Sequence, residues 1–423
     1  NGVASKWTNQ GLFIGVVGTG TVNIQIGGCV SNAFAFVGYH SQGSVSVDGT
    51  DSNNFASKGM MEGELVIGNV HGSGTLNIQN GGSVSNRDGY VGFDFLSQGT
   101  VTVTGTGSNG VASTWTNSGN LSIAHYGSYG TLNIQDGGSV SNMEGHIGYG
   151  YVFGIASQGT VTVTGTDSNG VASKWVNNSY LVVGLAGSGT LNILNGGNVS
   201  NTDGYVGFQS ASQGSVTVTG TGSTWTNSGN LILAGTGTSP SNATAGAGNL
   251  TVDNGGKVVV GGSLIVHTNG KLAGDGGTIE GNVTSSGTVA PGNSTGILTI
   301  DGNYTQEVNG KLEIQLGGTT AGTGYDQLLV MGNVTLNSSA VLDVSMWNAF
   351  ELGLNQSFDI LAIGGGTLTG TFLNLNDGDL VDQFNGVDLY IDYHIGGVTL
   401  FTGVPEPTSL MLIGIAILFG ASP

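Results

Sequence analysis

The residues able to carry chemistry are few and far apart. Cleavage of a polysaccharide on a β-fold needs paired carboxylates with a cation close by, and the one arginine of this chain, Arg87, stands beside Asp88. An exposed ion pair accounts for it. Six histidines, His40, His71, His125, His146, His267 and His394, are scattered without metal-ligand or triad spacing. The densest acidic run is Asp377, Asp379, Asp382, Asp388 and Asp392. Oxygen-rich loops can hold calcium, but this spacing follows neither an EF-hand loop nor the glycine-aspartate nonapeptide of secreted β-rolls. A solvated acidic face is the simpler reading, so no cofactor, no metal and no enzyme are expected, with calcium as the minor alternative.

Two further groups could act as surfaces. Thr100, Thr102 and Thr104, and likewise Thr160, Thr162 and Thr164, would form a flat hydroxyl array if stacked, suited to ice or glycan. Threonine is equally the ordinary polar residue of an exposed strand. A lone Cys29 forms no internal disulfide, and it fills the turn position held by Ser83, Ser139 and Asn198 elsewhere.

The scaffold behind these residues is set by composition. The 423 residues include 81 glycines and only 5 prolines, and just 8% are charged. Disorder usually needs high charge and few β-branched residues; here Val, Ile and Leu alternate with Ser, Thr and Asn, which reads as an ordered all-β protein. Seven basic against 26 acidic residues give a net charge of −19. Nucleic acid and anionic lipid would be repelled. All seven bases, Lys6, Lys58, Arg87, Lys174, Lys257, Lys271 and Lys311, precede residue 312, leaving the last quarter acidic.

A segment recurs about every 56 residues, the signature of a solenoid. Thr75 to Asn86 returns as Thr131 to Asn142 and Thr190 to Asn201, and Thr21 to Asn32 foreshadows it. Ser-Gln-Gly closes the units at Ser41, Ser97, Ser157 and Ser212, and Asn109 to Trp115 recurs at Asn169 to Trp175 and at Asn1 to Trp7. Period-two alternation, as in Leu76 and Ile78 against Thr75, Asn77 and Gln79, predicts short strands with one buried face. Corners follow at Asn80-Gly81-Gly82 and Gly105-Thr106-Gly107, where positive φ is cheap.

Each unit also has two similar halves, Val84-Ser85-Asn86 matching Trp115-Thr116-Asn117, so each is read as two coils. Stacking at about 4.8 Å places Trp7, Val30, Val84, Trp115, Val140, Trp175, Val199 and Trp225 on one inward ladder. Asn9, Asn32, Asn86, Asn117, Asn142, Asn177, Asn201 and Asn227, two positions later, form a second ladder of stacked amides. Gly59 is the one break, standing where Trp is expected. About fifteen coils would make a rod on the order of 70 Å.

Five regions follow: a repeat solenoid of about four two-coil units at 1–234, a Gly/Ser/Thr-rich connection at 235–248, a less regular solenoid at 249–315, a β cap or small β sandwich at 316–403, and a tail at 404–423. The chain opens inside a repeat at Asn1 with no secretory signal peptide, so a longer natural N-terminus is expected.

The blocks Ser113 to Leu121, Ser223 to Leu231 and Gly74 to Asn86 resemble the repeat shared by type V secretion passengers and PEP-CTERM proteins. Gly287 to Ser294, Leu298 to Tyr304 and Tyr325 to Leu328 look like the distal part of such passengers. Val404, Pro405, Glu406 and Pro407, ahead of the apolar run Leu410 to Phe419, look like a PEP-CTERM sorting signal. The family's basic cluster after that run is missing here. The resemblance implies a right-handed parallel β-helix with a C-terminal β cap and a short hydrophobic tail, exported to the exterior or surface of a Gram-negative type of cell. It also implies transient membrane contact through the tail.

The expected function is that of a non-enzymatic structural protein of the cell surface or matrix, self-assembling end to end into filaments by pairing of open edge strands. The alternatives are an adhesin that binds glycans or neighbouring cells and, third, a polysaccharide-acting enzyme. Expected partners are further copies of the chain and extracellular polysaccharide, with no nucleic acid.

Overall fold

Along the strand Ser73–Gln79 burial alternates residue by residue, with Gly74, Leu76 and Ile78 inside and the residues between them facing out. That strand pairs in parallel with Gln98–Thr104, which pairs with Tyr129–Gln135, so Leu76, Val101 and Leu132 lie one above another. Among the described residues thirteen such strands, one per coil from Gly20–Gln25 to Val341–Met346, make one continuous sheet. Two shorter strands of each coil, such as Ser83–Asn86 and Asp88–Val91, enter a second sheet of twenty-nine strands that also takes in the C-terminal cap. The chain is a parallel β-helix. This computed structural model describes residues 5–108, 110–237, 246–292 and 294–403.

Coils are numbered here from 1, built on Lys6–Thr8, Gly11–Ile14 and Gly20–Gln25, to 13, built on Gln327–Val330, Val334–Leu336 and Val341–Met346. At about 4.8 Å per coil the rod is about 60 Å long. Corners form where Asn80 and Gly81 both take positive φ, as do Asp136 with Gly137 and Asn195 with Gly196. Asn and Asp tolerate that conformation, and Gly reaches it freely. Gly82 has a second constraint, since a Cβ there would lie 2.3 Å from the Val47 carbonyl oxygen of the preceding coil.

The serines of the blocks Val111-Ala112-Ser113 and Val171-Ala172-Ser173 staple this corner to the next. Ser113 Oγ accepts from the Gly81 N–H at 3.0 Å and donates to the Thr104 carbonyl at 2.8 Å; Ser173 does the same with Gly137 and Thr164.

The ladder does not end near residue 315. Lys311–Leu316 pairs in parallel with Val341–Met346, and Gln327–Val330 pairs in parallel with both Ile297–Asp301 and Ser357–Ile363. Regularity is hidden in the sequence there because the segment between Leu316 and Gln327 replaces the tight Asn-Gly corner. Among the described residues the cap is the antiparallel meander Leu380–Phe384, Val387–His394 and Gly397–Thr402, with Gly397–Thr402 pairing antiparallel to Ser357–Ile363. The 235–248 connection does not separate two solenoids: Leu231–Leu233 before it and Ala247–Asp253, which begins within it, both belong to coil 9.

Candidate binding face

The seam residues are direct neighbours in the order Trp7, Val30, Gly59, Val84, Trp115, Val140, Trp175, Val199 and Trp225, continuing as Val258, Ile279, Ile300 and Val330; Trp7, expected to face inward, is 48% exposed, while Trp115, Trp175 and Trp225 are fully buried. Each buried indole is hydrogen-bonded downward. Trp115, Trp175 and Trp225 donate Nε1–H to Asn86, Asn142 and Asn201 of the preceding coil, all at 2.7 Å. Those same asparagines donate their amides upward to Asn117, Asn177 and Asn227 at 2.6 to 2.7 Å. Room for the ring is made by glycine, because a Cβ on Gly89, Gly145 or Gly204 would lie 2.2 to 2.4 Å from the Asn117, Asn177 or Asn227 Oδ1 and about as close to the indole as 2.9 to 3.0 Å. Around Trp115, Trp175 and Trp225 the interior is filled, each indole being fully buried.

The outside of the same short strands differs. In coils 2, 4, 6 and 8 the sequence repeats a ring, an aliphatic residue, glycine and a second ring: Phe36 with Tyr39, Tyr90 with Phe93, His146 with Tyr149, and Tyr205 with Phe208. The first ring points outward from the strand, beside an inward Ala35, Gly89, Gly145 or Gly204; the second projects from the corner. Sequence reading that treated the histidines singly missed this, although the three-residue spacing of the rings was there to be counted.

The rings make a continuous run along the rod. Phe93 stacks on His125 at 5.2 Å and 4°, and His125 stacks on Tyr149 at 4.3 Å. His146 meets Tyr149 at 5.2 Å and Tyr180 at 5.7 Å; Tyr180 reaches Tyr205 at 6.4 Å, and Tyr205 reaches Phe208 at 5.1 Å. A separate group of Phe13, Phe34, Phe36 and Tyr39 occupies coils 1 and 2. Tyr90, Phe93, Tyr149, Tyr180, Tyr205 and Phe208 remain half-exposed.

Burial fixes the charge state of this run. It lowers His125 to about 4, and it lowers His146 too, against the opposing pull of Glu144. Both imidazoles are therefore neutral rings at neutral pH. Tyr180 is pushed up to about 12 by burial and by its hydrogen bond to Glu144 Oε2 at 2.8 Å. A polar margin borders the rings: Asn120 bonds Asp88 and Glu144, and Asn230 bonds Asp203. Arg87, the cation nearest this margin in the sequence, is paired with Asp88 at 2.7 Å. The face therefore sets neutral rings beside hydrogen-bond acceptors.

Other residues singled out in the sequence lie elsewhere. The two threonine triplets are not adjacent, since coil 5 intervenes with Thr131, Asn133 and Gln135. One column is hydroxylic throughout from Thr21 through Ser44, Thr75, Thr100, Thr131, Thr160 and Thr190 to Ser215. In the acidic run, Asp377 accepts from Tyr393 N, Asp379 from Asn376, and Asp388 from Gln383 and Tyr390. Among the described residues no three His, Cys, Asp or Glu side chains are grouped to hold a metal ion. Cys29 is free, 3.9 Å from Met60 Sδ. Val404, Pro405, Glu406 and Pro407 lie outside the described residues.

No family model matches the chain. Over 166 residues it is 34% identical to an uncharacterized protein, YuaQ, of Escherichia coli strain K12, a match that covers 35% of this chain and 11% of that relative's length. A solved structure, the TibC-catalysed hyper-glycosylated TibA55-350 fragment, aligns with a TM-score of 0.39 and 14% identity over 87% of this chain and 97% of that one.

Proposed function

We propose that the chain is an exported, non-enzymatic adhesive rod of a Gram-negative type of cell surface or matrix, which grips glycan through the ringed face of coils 4 to 8. The observation that carries this reading is the electrically neutral run of rings from Phe93 to Phe208, whose phenylalanines and tyrosines are half-exposed over the buried His125 and His146 and are bordered by Asp88, Glu144 and Asp203. A net charge of −19 adds selectivity, since acidic polymers are repelled over the whole surface. A glycan array probed with the protein tests it. Hits confined to neutral or amino-bearing chains, weakened at least about tenfold by Tyr149→Ala or Tyr205→Ala, support the reading; an array without hits ends it.

Self-assembly into filaments is the second reading, favoured by the 8% charge content, which leaves few of the charges that guard strand edges. At the C-terminal end the place beside Ser357–Ile363 is taken by Gly397–Thr402, whereas Val341–Met346, the last strand of the other sheet, is paired on one side alone among the described residues. Regularly spaced fibres in negative-stain images would support it; a monomer at every concentration would not. For the tail, a sorting role of Val404 to Pro407 predicts that residues 404–423 are required for surface retention, measured by protease shaving of intact cells.

A further inference from the structure

Far from the ringed face, on the thirteen-stranded sheet, the rod has a waist at coil 11. The strand Thr288–Pro291 is four residues long and lies between Gly270–Gly274 and Lys311–Leu316. Its outward Ala290 sits beside Ala273, so the surface dips where neighbouring coils carry long side chains. The resulting groove has a volume of about 390 Å³, within the range of small-ligand sites.

One wall is a row of alternating charge. Lys271 Nζ reaches over Ala290 to Glu313 Oε2 at 2.9 Å, while Lys311 bridges Glu313 at 3.3 Å and Asp343 at 3.1 Å. Each carboxylate is thereby fixed in place, and the row is close to neutral. The other wall is Trp347, 43% exposed, with Gln315 and Ser345 near it. The tryptophan is held rather than loose: its backbone N–H donates to the Leu316 carbonyl at 2.8 Å, and its ring edge lies against Gly317, where a Cβ would come within 3.0 Å of Cδ1. At the groove's end Asp326, 2% exposed, accepts from Gly296 N and Gln315 N, tying the loop that bears the groove to two coils.

We infer that this groove is a second binding site, for one or two uncharged hexose-type sugar units, with the apolar face of a pyranose on the Trp347 indole and its hydroxyls on the Lys271, Glu313, Lys311 and Asp343 row. An aromatic plate opposite fixed, alternating donors and acceptors is what a ring with one C–H face and a hydroxyl rim requires. A charge-balanced wall gives no reason to prefer an anionic or cationic ligand. The inference does not rest on the ringed face, which lies on the other sheet.

Tryptophan fluorescence isolates the site. Trp115, Trp175 and Trp225 are fully buried, so acrylamide quenching reports on Trp7 and Trp347 among the described tryptophans, and Trp7→Phe leaves Trp347 as the exposed reporter. The probes are glucose, galactose, mannose, N-acetylglucosamine and their disaccharides, up to about 50 mM, a range that captures millimolar affinity. The expected result is saturable protection of the Trp7→Phe protein by at least one sugar, weakened about tenfold by Asp343→Ala, absent in Trp7→Phe/Trp347→Phe, and intact in Trp7→Phe/Tyr149→Ala. Circular dichroism and thermal melts matched to wild type certify the fold of each variant. No protection by any sugar, protection that survives Trp347→Phe, or full affinity in Asp343→Ala overturns the inference. Loss in Tyr149→Ala would move the site to the ringed face and also overturn it.

Discussion

Coils 5, 7 and 9 carry an indole on the inner seam, while coil 3 carries Gly59 at the same place. Three other changes accompany that glycine. Met61 stands where coil 5 has Asn117; Ala35 of coil 2 stands where coil 4 has Gly89; and Asn32, 3% exposed, has neither amide atom paired. A cavity of about 30 Å³ remains, lined by Val30, Asn32, Ala35, Gly59, Met61 and Val84. Indole, amide below, amide beside and missing Cβ therefore behave as one unit, present or lost together. Asn227, whose upper neighbour in coil 10 is Val260, shows the same deficit at the other end, with its Nδ2 unpaired.

The largest test of that unity removes an indole. Trp175→Ala should cost about 3–5 kcal/mol, because it opens a cavity and strands the Asn142 carbonyl oxygen; denaturant midpoints would show it, and a loss below about 1 kcal/mol would mean that the seam relaxes easily. Smaller is Gly145→Ala, whose Cβ would lie 2.2 Å from Asn177 Oδ1; about 1–3 kcal/mol is expected from overpacking. The same methyl already exists at Ala35, where no indole follows.

Rebuilding the missing tooth sharpens the comparison from the other side. The triple change Ala35→Gly, Gly59→Trp and Met61→Asn should raise stability by about 1–2 kcal/mol, whereas Gly59→Trp alone should lower it, since Ala35 blocks the ring. If the single change stabilises as well as the triple, the four positions are independent. Hydrogen exchange would locate the effect in coils 2 to 4.

The smallest effect concerns pH. His125 has its pKa lowered by burial to about 4 and stays neutral in the fold, while the unfolded chain takes up a proton near pH 6.5. Stability from this group is present above about 6.5 and is lost as pH falls toward 4. Thermal melts of wild type and His125→Phe should therefore converge at neutral pH and separate in acid, wild type being the less stable; parallel curves would refute it.

How much of this was readable in the sequence varied with the device that held each part. The seam was legible because Val84, Trp115, Val140 and Trp175 sit in blocks that align letter for letter, so stacking them needed only the coil period. What the tryptophans bond to was not, since Asn86 and Trp115 meet through space and not through spacing. The ringed face went unread because strand and corner each supply one ring, and Tyr90 and Phe93 belong to neither motif alone. Past residue 315 the coils continued where loops had overwritten the corner signal, as between Leu316 and Gln327.

The alternation of bulky and glycine-bearing coils has a consequence for how such a chain finds its register while folding. Near-identical coils invite a slip in which one is skipped and its neighbours pair instead. Skipping one here would set Trp115 against Trp175, with Val140 and its partner Gly145 gone from between them. A slip of two coils meets no such clash. From coil 4 to coil 9 the seam thus works as a parity check: it admits even errors, rejects odd ones, and makes two coils the smallest piece by which that part of the rod can be lengthened or shortened without harm.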